Sequence, residues 1–95
     1  MYAVIFKATL NCVDNHYETT ATRLRELAKQ QYNCIDFFAV SDSKRELAIS
    51  YWSSLDDIKK WKNNPEHRAA QALGKEKWYQ HYQVEIVKIE KSYTS

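Results

Sequence analysis

The segment "CIDFFAVSDSKRELAISYW", Cys34 to Trp52, decides the fold. Two runs rich in β-branched and aromatic residues, CIDFFAV and ELAISYW, flank a short polar break, SDSKR. Ser and Asp favour turn positions because their side chains bond back to nearby backbone amides. The segment therefore reads as a β-hairpin. Its arms do not alternate cleanly. Ile35, Phe37 and Ala39 line one face, while Phe38 and Val40 line the other; Ala48 and Trp52 oppose Leu47, Ile49 and Tyr51. An antiparallel sheet covered on one side should read apolar in and polar out. Here both faces are apolar, and both need cover.

Working outward, YAVIFKATL at 2–10 is a further strand. Tyr2, Val4, Phe6, Ala8 and Leu10 share one of its faces, and Ala3, Ile5, Lys7 and Thr9 the other. From about His16 the period changes: Tyr17, Ala21, Leu24, Leu27, Ala28 and Gln31 recur at helical spacing, with Arg23, Arg25, Glu26 and Lys29 facing away. After the hairpin, Ser53 or Ser54 caps a short helix whose first turn carries Asp56 and Asp57 and whose inward stripe is Leu55, Ile58 and Trp61. Asn64-Pro65-Glu66 restarts a helix, with Asn as cap and Pro at the first helical position. HYQVEIVKIEK, His81 to Lys91, is the last strand; the change of phase from Val84 and Ile86 to Val87 and Ile89 predicts a bulge or bend.

The order is β-α-β-β-α-β, with the second helical region broken at Pro65. Packed compactly, it gives a ferredoxin-like α+β sandwich: one domain over residues 1–95, with a four-stranded antiparallel sheet and helices on one face. Nothing in the chain remains to cover the other face. A second copy does so most simply, which predicts a homodimer joined through its sheet faces.

Bulk composition narrows the function. A chain of 95 residues buries only roughly 60–65% of its unfolded surface, so oligomerisation is the expected source of extra burial. The two cysteines, Cys12 and Cys34, fall at opposite ends of the sheet, and a nine-residue strand spans about 30 Å, too far for a disulfide. Two free thiols fit a reducing compartment. Neither Cys spacing nor His16, His67 and His81 form a local metal motif. A net charge of +2 is too mild to imply nucleic acid. The opening MYAVIFKATL lacks a basic leader and a cleavage pattern, and no stretch approaches the ~20 apolar residues of a membrane span. A cytoplasmic protein is expected.

The segment Trp61–Tyr82, WKNNPEHRAAQALGKEKWYQHY, holds two Trp, two Tyr, two His and the only Pro and Gly. On a helix from Pro65, His67, Ala70, Gln71, Gly74 and Trp78 share a face. Small residues at 70 and 74 permit close approach to the sheet or leave a void. Aromatics in a thin core first of all bury area, yet a His one turn into a helix between two Trp is poised for chemistry.

These residues also carry a resemblance. SYW at 50–52, W at 61, EHRAAQ at 66–71, G at 74 and WY at 78–79 resemble the signature of a small bacterial subgroup of the antibiotic biosynthesis monooxygenase superfamily, and YAVIFKATLN at 2–11 is similar too. The resemblance implies a dimeric α/β barrel of two ferredoxin-like units, with a pocket between sheet and helices. It implies either oxidation of aromatic polyketides or quinols by dioxygen without a cofactor, or heme binding and degradation. Trp61 corresponds to the Trp beside the substrate in heme-degrading relatives. Their heme-ligating His falls at Gln71 and their catalytic Asn at Phe6, which counts against the same heme machinery. Where relatives carry a Pro-Gly-Phe step, this chain has Tyr32-Asn33-Cys34.

Three functions follow. In the first, a cofactor-independent or heme-linked monooxygenase uses His67 as the base and Tyr51, Trp61, Gln71, Trp78 and Tyr82 as the wall around an electron-rich aromatic. No metal is required, because the deprotonated substrate itself gives an electron to dioxygen. In the second, a non-catalytic dimeric barrel binds a small apolar ligand or heme, for instance in a stress response. The third is RNA binding, which needs a basic-Gly-aromatic octet on the third strand. That strand reads KRELAISYW, without Gly, so RNA is set aside.

Overall fold

The computed structural model describes residues 1–95. Its elements are β1 (Tyr2–Leu10), α1 (Asn15–Gln31), β2 (Asp36–Ser41), β3 (Arg45–Trp52), α2 (Leu55–Lys62), α3 (Pro65–Leu73), a five-residue π-helical turn (Gly74–Trp78) and β4 (Tyr79–Lys88). One four-stranded sheet runs in the order β2-β3-β1-β4, with every neighbouring pair antiparallel. This is the ferredoxin-like α+β arrangement, with β1 and β2 parallel and separated by β3.

Each helix begins at a side chain that satisfies its orphan amides. Asp14 accepts from the Tyr17 amide at 3.0 Å. Ser54 accepts from the Asp56 and Asp57 amides at 3.1 and 3.3 Å. Asn64 accepts from the Glu66 amide at 2.8 Å, ahead of Pro65. Cys12 follows the end of β1 and Cys34 precedes the start of the parallel β2; the first is exposed and the second buried. Between α1 and β2, Asn33 takes a φ of 62°, a left-handed conformation that Asn tolerates better than most residues. The Tyr32-Asn33-Cys34 step thus makes its turn without a glycine.

Strand register sorts the side chains. Tyr2, Val4, Phe6 and Ala8 pair across β1 with Trp52, Ser50, Ala48 and Glu46 of β3, so all eight share the helix-side face. Two cores lie beneath the helices. One gathers Val4, Leu27, Ala28, Cys34, Trp52, Ile58 and Trp61; the other gathers Ala8, Leu10, Tyr17 and Trp78. Fully burying such side chains stabilises by roughly 1.5–3 kcal/mol each. The opposite face carries Ala3, Ile5, Leu47, Ile49 and Tyr51 with Phe38, Val40 and Val87, and no helix covers it. Phe38 remains 55% exposed.

Four expectations are corrected. Leu55 does not belong to the inward stripe of α2: it is 51% exposed, because a helix of eight residues buries only Ile58 and Trp61. Arg25 does not face away from the core; it lies one turn after Ala21 and is half-buried, while Gln31 is exposed. β4 starts at Tyr79 and ends at Lys88. Finally, no bulge falls near residue 87. Register runs unbroken from Lys88 opposite Tyr2 to His81 opposite Thr9, and the irregularity comes between Thr9 and Leu10, where Leu10 pairs with Tyr79. That irregularity turns Tyr79 onto the same face as Tyr82.

Candidate functional site

A cavity of about 510 Å³ opens between the helix-side face of the sheet and helices α1 and α3, within the range of small-molecule sites. The sheet contributes its floor through Val4, Phe6, Ala39, Ala48 and Val84. Short side chains at 39 and 48, directly paired across β2 and β3, leave the space that larger residues would fill. Tyr17, Ala21 and Leu24 of α1 form one wall.

Of the residues expected at a site, His67, Trp61, Gln71, Trp78 and Tyr82 all line this cavity. Tyr51 does not. It pairs with Ala3 and Asp36 on the uncovered face of the sheet, one residue out of phase with Trp52. Gln71 is exposed overall and stands at the mouth.

His67 is positioned from two sides. The Arg23 guanidinium donates two hydrogen bonds to the Glu66 carboxylate at 2.8 and 3.0 Å, tying α3 to α1 beside it. The Trp61 indole lies edge to face with the imidazole, ring centres 4.2 Å apart. Trp61 is itself fixed by a bond from its Nε1 to the Leu24 carbonyl, 3.2 Å, and by packing on Trp52. Burial pushes His67 from 6.5 down to about 4; the Trp61 carbonyl works against this and the charge of Lys62 adds to it. The imidazole is therefore neutral near pH 7, with Nδ1 buried and unbonded.

The other end is tyrosine-rich. Tyr17 packs edge-on against Trp78, centres 5.2 Å apart, and Phe6 lies 5.3 Å from Tyr79 and 6.1 Å from Tyr82. Burial raises the phenols of Tyr17 and Tyr79 above their ordinary value. Gly74 makes this packing possible. A Cβ there would come 2.7 Å from Tyr79 Cδ2 and closer still to Cε2. The π turn ends with the Tyr79 amide donating to the Gly74 carbonyl, and such turns concentrate at functional sites.

Among the wall residues that sequence reasoning missed are Tyr17, Arg25 and Glu46. Strand parity was the available signal for Glu46, which shares a face with Ala48, Ser50 and Trp52. Its carboxyl is half-buried and held above the usual range by burial, against a hydrogen bond from the Ser41 hydroxyl and the charge of Arg25.

The wall offers heme no exposed Nδ1, since that atom of His67 is buried and without a partner.

Residues 13–73, the span from the start of α1 through α3, match the antibiotic biosynthesis monooxygenase family. The chain belongs to that family. It is 35% identical over 91 residues to YqjZ of Bacillus subtilis (strain 168), covering 95% of this chain and 80% of YqjZ. Among solved structures it is similar to SnoaB, a cofactor-independent oxygenase from Streptomyces nogalater, with a TM-score of 0.78 at 8% identity, covering 96% of this chain and 94% of SnoaB. PA3566 from Pseudomonas aeruginosa aligns with a TM-score of 0.68 at 16% identity, covering 95% and 94%. At these identities the structural matches speak for the fold. The family's fold and the cavity meet in one chain whose helices include none long and apolar enough to cross a membrane.

Proposed function

We propose that this protein is a monooxygenase of the antibiotic biosynthesis type, oxidising a small electron-rich aromatic, quinol- or polyketide-like, with dioxygen and no cofactor. The observation that carries this reading is a neutral imidazole, its Nδ1 without a partner, on the wall of an aromatic cavity. Trp61, Trp78 and Tyr82 hold the ring of the substrate, Gln71 borders the mouth, and His67 accepts the proton of an acidic ring position or hydroxyl. An imidazole held near 4 is a weak base while the cavity is empty. Proton transfer becomes favourable as the substrate anion forms beside it, because each charge then offsets the burial of the other. The anion gives one electron to dioxygen, and the radical pair recombines at carbon. For an anthrone-type CH2, one oxygen atom becomes the new carbonyl and the other leaves as water with the two hydrogens, so the substrate supplies all the electrons.

The uncovered sheet face supports a second copy of the chain as its cover, in line with the dimeric barrel that the family resemblance implies. Of the apolar side chains there, Phe38, Val40 and Val87 are exposed, Phe38 foremost.

The test is oxygen uptake with 1,8-dihydroxyanthrone under labelled dioxygen. Uptake above the uncatalysed rate, one labelled oxygen in the product, and a 10²–10⁴-fold fall in His67→Ala are expected. Binding of the anthrone with no added uptake would favour the ligand-binding barrel instead.

A further inference from the structure

We propose that the cavity takes an aromatic acid, its ring held among the Trp and Tyr walls and its carboxylate gripped by the guanidinium of Arg25. This deepens the oxygenase reading of the same cavity and rests on it.

Arg25 is the wall residue with an unmet need. It sits on the inward side of α1, half-buried, with its guanidinium carbon 5.3 Å from the centre of the Phe37 ring. None of the protein's ion pairs involves it, although Arg23 and Arg45 each have a carboxylate. Its Nε–H is buried without an acceptor. Leaving a charged donor in that condition is costly, and a planar guanidinium matches the two oxygens of a carboxylate in a single fork.

Charge around the cavity points the same way. Lys62 and Arg68 join Arg25 on the lining, against one acid, Glu46. Burial favours the neutral form of that acid, which weakens its hold on Arg25. Low dielectric walls concentrate the resulting positive field on whatever occupies the space.

The buried polar side-chain atoms that lack partners are three: Arg25 Nε, His67 Nδ1 and Trp78 Nε1. All three belong to residues of this one cavity. Arg25 and Trp78 are donors and are satisfied by ligand oxygens; neutral His67 is satisfied by a ligand hydroxyl. The complementary molecule is flat and apolar at its centre and carries oxygens at its periphery, one of them anionic.

Calorimetric titration of the full chain with 1-hydroxy-2-naphthoate and with 1-naphthol separates the possibilities. The two probes share a ring and a hydroxyl and differ by the carboxylate. The acid is expected to bind at least tenfold more tightly to the wild type, about 1.4 kcal/mol. Arg25→Met, which keeps the aliphatic stem against Phe37, should bring the ratio towards one, and Arg25→Lys should restore part of it. Equal affinity of the wild type for both probes overturns the assignment, whether or not any variant folds. So does a preference that survives Arg25→Met, since Lys62 or Arg68 would then be the anchor. If neither probe binds, the aromatic-site reading fails first.

Discussion

His67 should make this fold acid-sensitive in a way that one substitution removes. Its ordinary pKa is 6.5 and burial brings it to about 4, so between these values the unfolded chain binds a proton that the folded chain refuses. Stability therefore rises with pH across that window. It is undiminished by this residue above pH 6.5, and the loss is complete below about 4. At 1.36 kcal/mol per unit the full loss is roughly 3 kcal/mol, of which about 2 kcal/mol falls between pH 7.5 and 5.0. Lys62 from α2 is the charged group that adds to the effect, and the Trp61 carbonyl opposes it. The assay is urea unfolding followed by tryptophan fluorescence at the two pH values, at one fixed protein concentration. The midpoint of the wild type should fall by about 1 M on acidification. His67→Leu should fall by distinctly less, each protein being compared with itself. Equal losses in the two proteins would refute the claim that this imidazole is buried and neutral, and with it the geometry on which the proposed chemistry stands.

Two further outcomes follow from packing. Gly74→Ala places a methyl group against the Tyr79 ring, and overpacking of this kind costs about 1–3 kcal/mol; Tyr79→Ala in the same chain should recover part of the loss, whereas an unchanged or higher urea midpoint for Gly74→Ala alone would show that the ring gives way freely. Phe38→Asp puts a charge on the uncovered sheet face, on its edge strand β2; light scattering should find twice the 11.3 kDa chain mass for the wild type and the single mass for the variant, and a wild type at the single mass would count against the dimer.

Much of the architecture was legible because local chemistry and global packing agree. Asp14, Ser54 and Asn64 open helices where their side chains reach free amides, and of these Ser54 and Asn64 stand out in the sequence. The hairpin around Asp42 closes where its carboxylate accepts from the Lys44 and Arg45 amides, both at 2.8 Å. Legibility failed where tertiary context overrides spacing. Leu55 has the right phase but lies in the first turn of a helix too short to bury it. Arg25 looks like a solvent residue by type, yet its position between Ala21 and Ala28 puts it on the inward stripe. Tyr51 suits a pocket wall by residue type, yet its parity with Ile49 and Leu47 assigns it to the uncovered face. Tyr79 needed the irregularity opposite Leu10, which no periodicity in β4 announces.

The two separate cores described above give the cavity a mechanical meaning. Val4 and Trp61 belong to one core and Tyr17 and Trp78 to the other, and all four also line the cavity between them. Two packed cores thus share β1 and α1, with a gap where a continuous core would otherwise run. Whatever fills that gap becomes the keystone joining them. Amide exchange along β1 should then slow over its whole length when the cavity is filled, so that occupancy is felt as stiffness at strand positions that never touch the ligand.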